Sequence, residues 1–108
     1  MIEIVYDRAN LNVTVKGHAG SAEHGHDLVC SAVSILCYTL GANVAKYSTN
    51  KKQVRNAVVR LDDGDAEISC RPVHGFRAVV TLVFDTVCDG FMLLEQQYPD
   101  YVTYSVKG

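Results

Sequence analysis

Apolar and polar positions change period six times along the chain, and each change marks an element. Ile2 to Tyr6 is short, β-branched and aromatic, which predicts a strand. Asp7-Arg8-Ala9-Asn10 supplies turn chemistry. Leu11-Asn12-Val13-Thr14-Val15-Lys16 then alternates apolar with polar, as a half-buried strand does, so the two strands read as a hairpin. From Val29 the period lengthens: Val29, Val33, Leu36, Leu40, Val44 and Tyr47 recur at three- and four-residue steps and predict an amphipathic helix opened by Asp27 as cap. Gln53 to Asp62 alternates again, Asp63-Gly64 turns the chain, and Asp65 to Arg71 completes a second hairpin. Phe76 to Gln97 is too long for a strand, and Val79, Val83, Val87, Gly90 and Leu94 share one face of a second helix. Tyr98-Pro99 ends it, and Tyr101 to Val106 reads as a closing strand. The order ββαββαβ implies one α+β domain spanning residues 1–108, a sandwich of two long helices on largely antiparallel strands.

The bulk numbers narrow the class. The 108 residues suffice for a single core, and 48% hydrophobic with 20% charged residues fits an ordinary soluble globular protein. A net charge of −2 with no dominant basic face argues against direct nucleic-acid binding. No stretch is read as a membrane span, and Met1-Ile2-Glu3-Ile4-Val5-Tyr6 lacks the pattern of a secretory leader, so a cytoplasmic location is expected. Cys30, Cys37, Cys70 and Cys88 should then be reduced thiols. Cys30 and Cys37, seven residues apart on one helix, would be about 10 Å apart along its axis, beyond the roughly 7 Å a disulfide can bridge.

Chemistry concentrates between Gly17 and Ser34. The segment Gly17-His18-Ala19-Gly20-Ser21-Ala22-Glu23-His24-Gly25-His26-Asp27 carries three glycines and no large apolar side chain, so it is read as a loop. With Asp27 as cap, Cys30 falls in the first helical turn, where unpaired backbone N–H groups and the positive end of the helix dipole favour a thiolate. Asp27, Cys30 and Ser34 share one helix edge. His18 can reach the same end on its glycine-flanked loop. A thiol beside an imidazole is the minimum equipment for acyl transfer, with helix N–H groups available to an oxyanion. Two other readings of the segment remain. His18, His24, His26 and Cys30 supply enough nitrogen and sulfur for a zinc site, although no Cys-x-x-Cys pair or helically spaced histidines accompany them. A non-catalytic binding module also fits a domain of this size.

Gly17-His18-Ala19-Gly20 followed by Gly25-x-Asp27-x-Val29-Cys30-Ser31-Ala32-Val33-Ser34 closely resembles the bacterial ribosomal-processing cysteine protease family, and the likeness extends over nearly the whole chain. The resemblance implies a cysteine endopeptidase that removes the N-terminal extension of a large-subunit ribosomal protein. It implies His18 and Cys30 as the catalytic pair, Asp27 and Ser34 as supporting residues, and Gly17 as the glycine that lets the loop flex. A homodimer without cofactor, taking the ribosomal protein precursor as its peptide substrate, is the expected form. His24 and His26 lie where that family is variable.

Overall fold

A computed structural model describes residues 1–18, 26–49 and 52–108, with only the backbone of His26 and Asp27. The elements follow in the expected order: β1 (Ile2–Asp7), β2 (Asn12–Lys16), α1 (His26–Thr49), β3 (Val54–Asp62), β4 (Asp65–Pro72), α2 (Arg77–Gln97) and β5 (Val102–Lys107). Alternation decides which face of the sheet is covered. Ile2, Ile4 and Tyr6 of β1, Val13 and Val15 of β2, and Ala66, Ile68 and Cys70 of β4 are all buried beneath the helices. Their neighbours Glu3, Thr14, Lys16, Glu67 and Arg71 alternate onto the other face. A one-residue slip would exchange the two sets, so burial fixes the register, with Tyr6 opposite Val13 and Val13 opposite Ile68.

The five strands lie in the order β3-β4-β2-β1-β5. Both hairpins and the β2–β4 pair are antiparallel, whereas β5 runs parallel to β1. The α+β sandwich is thus as expected, with one parallel pair that local pattern could not reveal.

Helix α1 buries Val29, Val33, Cys37, Leu40 and Val44. It corrects one expectation: Leu28–Thr49 is long and apolar enough to cross a membrane, with a mean hydropathy of 1.7. No charge interrupts residues 28–45, only small or polar uncharged ones such as Ser31, Ser34, Thr39 and Asn43. Packing against the sheet and α2 accounts for only part of that apolarity: 33% of the stretch is buried, while Leu28, Ile35 and Tyr38 stay exposed.

Helix α2 corrects a second expectation. Its core stripe is Val80, Phe84, Val87, Cys88 and Phe91, whereas Val79 is 50% exposed. Of the face expected through Val79, Val83, Val87, Gly90 and Leu94, Val87 is buried and Val83 and Leu94 are partly buried against the core, whereas Val79 faces out and Gly90 meets α1. There a Cβ on Gly90 would stand 2.8 Å from a Leu36 methyl, so the missing side chain permits close approach. Phe84 stacks on Tyr6 with centroids 6.1 Å apart. Asp85, one residue on, accepts from the Tyr6 hydroxyl at 2.8 Å and from the Arg8 guanidinium at 3.0 Å. The Arg8 hydrogen bond, with the Tyr6 hydroxyl assisting, holds the Asp85 carboxyl below its ordinary range.

Candidate active site

The site forms where three chain segments meet. The β2–β4 ladder places Lys16 opposite Asp65, so the residue after β2 arrives beside the β3–β4 turn. There the Gly17 N–H donates to the Gly64 carbonyl at 2.9 Å. Gly17 adopts φ +100, and a Cβ on it would overlap the Met1 carbonyl oxygen, so both conformation and space require glycine. The Met1 nitrogen donates to the His18 carbonyl, which holds the His18 backbone from the other side.

The His18 imidazole lies against Gly64. A Cβ at Gly64 would overlap His18 Nε2 and stand 2.7 Å from Cε1. Gly64 also has φ +71, so its glycine serves the turn and the histidine together. Sequence reasoning missed this partner. Asp63-Gly64 was legible as a turn, but its meeting with His18 depends on long-range strand register.

Across from His18, the first half of α1 carries Cys30 and Ser34. A pocket of about 330 Å³ is lined by His18, Cys30 and Ser34, with the Asp63-Gly64 turn at its rim and Ile2, Val15 and Val33 among its apolar walls. His18 and Ser34 are exposed and Cys30 is half-buried. Helix α1 already includes His26 and Asp27, so Asp27 sits inside the first turn instead of capping it, and Cys30 is the fifth helical residue. Helical side chains lean toward the N-terminus, so Cys30 still inclines toward the turn that holds the unpaired N–H groups. The proposed support from Asp27 lies outside the described side chains, as do His24 and the imidazole of His26.

Cys37 also borders the pocket, and burial separates it from Cys30. Cys37 is 4% exposed, and desolvation pushes its thiol up to about 11. Burial likewise raises Cys70 to about 11 and Cys88 to about 12. Those three behave as small apolar core residues, as expected. None of the four forms a disulfide. Among the described residues no group of three or more histidine, cysteine or acidic side chains is placed to hold a metal. The zinc reading rested partly on His24 and His26, outside the described side chains.

A half-buried thiol and an exposed imidazole on one pocket are the equipment of a cysteine peptidase. The chain belongs to the cysteine protease Prp family, whose model matches residues 1–103. No curated protein sequence matches it. Among solved structures it is similar to SMU.848 from Streptococcus mutans, at 27% identity and a TM-score of 0.66, covering 98% of this chain and 91% of that one. It is also similar to the essential ribosomal processing protease Prp from S. aureus in complex with a substrate peptide. There the identity is 21% and the TM-score 0.71, with 98% of this chain and 97% of that one covered. The same S. aureus protease with a covalently linked product peptide gives 21% identity and a TM-score of 0.70 over the same shares.

Proposed function

We propose that this chain removes the N-terminal extension of a large-subunit ribosomal protein, with Cys30 as nucleophile and His18 as general base and then general acid. The observation that carries this reading is that His18 and Cys30, twelve residues apart in sequence, line one pocket in a chain of the cysteine protease Prp family. In the proposed reaction His18 takes the thiol proton and the Cys30 sulfur bonds to the scissile carbonyl carbon. N–H groups of the first turn of α1 stabilise the oxyanion. The tetrahedral intermediate expels the amine, which takes the proton from His18. Water, deprotonated by His18, then cleaves the thioester. Ser34, one turn beyond Cys30 on the same pocket, and Asp27 are proposed to support the site. Thiol and imidazole suffice for this chemistry, so no cofactor is invoked.

The substrate is proposed to lie extended near the Leu61-Asp62 end of β3, which is an edge strand with backbone groups available for pairing. The chain is further proposed to act in the cytoplasm as a homodimer, with no nucleic-acid or membrane partner. Exposed Leu28, Ile35 and Leu82 on the helices supply apolar surface for such self-association. Incubating the purified chain under reducing conditions with the ribosomal precursor and, separately, with unfolded casein tests the reading. Release of the extension alone, read by intact mass, is expected. Equal cleavage of casein, or an untouched precursor, contradicts it.

The contact between His18 and Gly64 yields a further expectation. Asparagine tolerates a positive φ but brings a Cβ, so Gly64→Asn keeps the turn while pushing the imidazole from its place. Its kcat should fall by about 10-fold to 10²-fold, the scale of a misplaced catalytic group. Gly75→Ala is the control: Gly75 has φ +92 with nothing within 4 Å of the added Cβ, so only stability should suffer. Wild-type kcat in Gly64→Asn would reduce Gly64 to a turn residue.

A further inference from the structure

A second pocket, of about 340 Å³, lies at the opposite end of the β3–β4 hairpin and shares no residue with the first. Its chemistry is different: Arg55, Arg71 and Arg77 line it, together with Asn10 of the β1–β2 turn. Arg55 and Arg71 are direct cross-strand partners, so their side chains leave the same face of the sheet side by side. Like charges opposite one another destabilise a strand pair. The same hairpin shows the ordinary arrangement a few residues away, where Arg60 stands opposite Glu67 and also pairs with Asp65 at 3.0 Å. Two other cations nearby are matched, Arg8 by Asp85 and Lys16 by Asp65. Among the described residues, Arg55 and Arg71 have neither a carboxylate nor a hydrogen-bond acceptor. Arg77 donates one guanidinium nitrogen to the Ala9 carbonyl and has no acidic partner there.

The third arginine opens α2, and this helix end is itself short of negative charge. Its cap, Phe76, offers no side-chain acceptor, and its first turn contains no acidic residue. The positive end of the helix therefore adds to the potential of the three guanidinium groups.

We infer that this pocket is a binding site for a phosphate group, free or carried on a small molecule. A single carboxylate satisfies one guanidinium fork, whereas the three exposed arginines that line this pocket offer donors enough for an anion with more acceptor oxygens and about two negative charges. Binding would replace the Arg55–Arg71 repulsion with bridging hydrogen bonds. The inference is independent of the peptidase reading, since the two pockets are separate.

Thermal unfolding of the whole chain in phosphate, in pyrophosphate, and in chloride at matched ionic strength tests it. Phosphate or pyrophosphate should raise Tm by about 6 °C at ten times its Kd, and chloride should not. Arg71→Gln should lose at least about tenfold in affinity, and in anion-free buffer it should melt no lower than wild type because the repulsion is gone. The same anion response in Arg71→Gln and Arg55→Gln as in wild type would overturn the site. So would equal stabilisation by chloride, or binding of a U-rich RNA oligomer without any response to phosphate or pyrophosphate. If Arg71→Gln fails to fold, Arg55→Gln and the guanidinium Nε–H resonances of the wild-type chain under phosphate titration decide. Unmoved resonances at Arg55, Arg71 and Arg77 would refute the assignment.

Discussion

Cys30→Ala should abolish precursor cleavage, with a loss of at least about 10⁴-fold, the scale seen when a covalent nucleophile is removed. His18→Ala should cost about 10² to 10⁴-fold, since a positioned base contributes that range. The two losses should not add. Once the thiol is gone the imidazole has nothing to activate, so Cys30→Ala with His18→Ala should resemble Cys30→Ala alone. His74→Ala, an exposed histidine in the β4–α2 connection, serves as control and should retain full activity. The rates are to be read as kcat/KM on a peptide spanning the extension. Cleavage by Cys30→Ala at more than a trace would remove Cys30 from the mechanism. Full activity in His18→Ala would dissolve the pair.

The largest effect on stability should come from Phe84→Ala. Phe84 is fully buried, stacks on Tyr6 and stands at the centre of the α2 stripe. Truncation leaves a cavity that the close-packed layer cannot fill, at a cost of about 3–5 kcal/mol. For a domain of this size that corresponds to a fall in Tm of about 15 °C. Val79→Ala is the informative comparison. Val79 belonged to the face expected from sequence, yet it is half exposed, so its truncation should change stability by no more than about 0.5 kcal/mol. Thermal unfolding followed by circular dichroism separates the two. A larger loss at Val79 than at Phe84 would restore the face read from sequence.

The reason the α2 face was misread is visible in its composition. Val79, Val80, Leu82, Val83, Val87, Leu93 and Leu94 are aliphatic and surround most of the helix, so two stripes one residue apart fit the period almost equally well. Only the sheet beneath selects Val80 and Phe84. In β1 and β2 no such ambiguity exists, because a polar residue separates Ile2 from Ile4 and Val13 from Val15, and the strands lie where alternation put them. The parallel β1–β5 pair joins residues about a hundred positions apart and leaves no local trace. The site divides in the same way. His18 and Cys30 were singled out from spacing and from the family motif, and both line one pocket. Gly64 was not, because its role beside His18 follows from strand pairing. Nor were Arg55 and Arg71 legible as a pair, since their juxtaposition follows from the bulged register of β3 on β4.

The most direct measurement of the central claim is the rate at which each of the four cysteines reacts with iodoacetamide in the folded chain, resolved by peptide mass spectrometry at several pH values. Cys30 should label fastest near neutral pH, with Cys37, Cys70 and Cys88 protected by burial and by thiols raised to about 11 or 12. The advantage of Cys30 should shrink in His18→Ala, because the imidazole no longer stabilises the thiolate. Faster labelling of Cys37, Cys70 or Cys88 in the folded protein, or a Cys30 rate indifferent to His18, would contradict a Cys30–His18 peptidase.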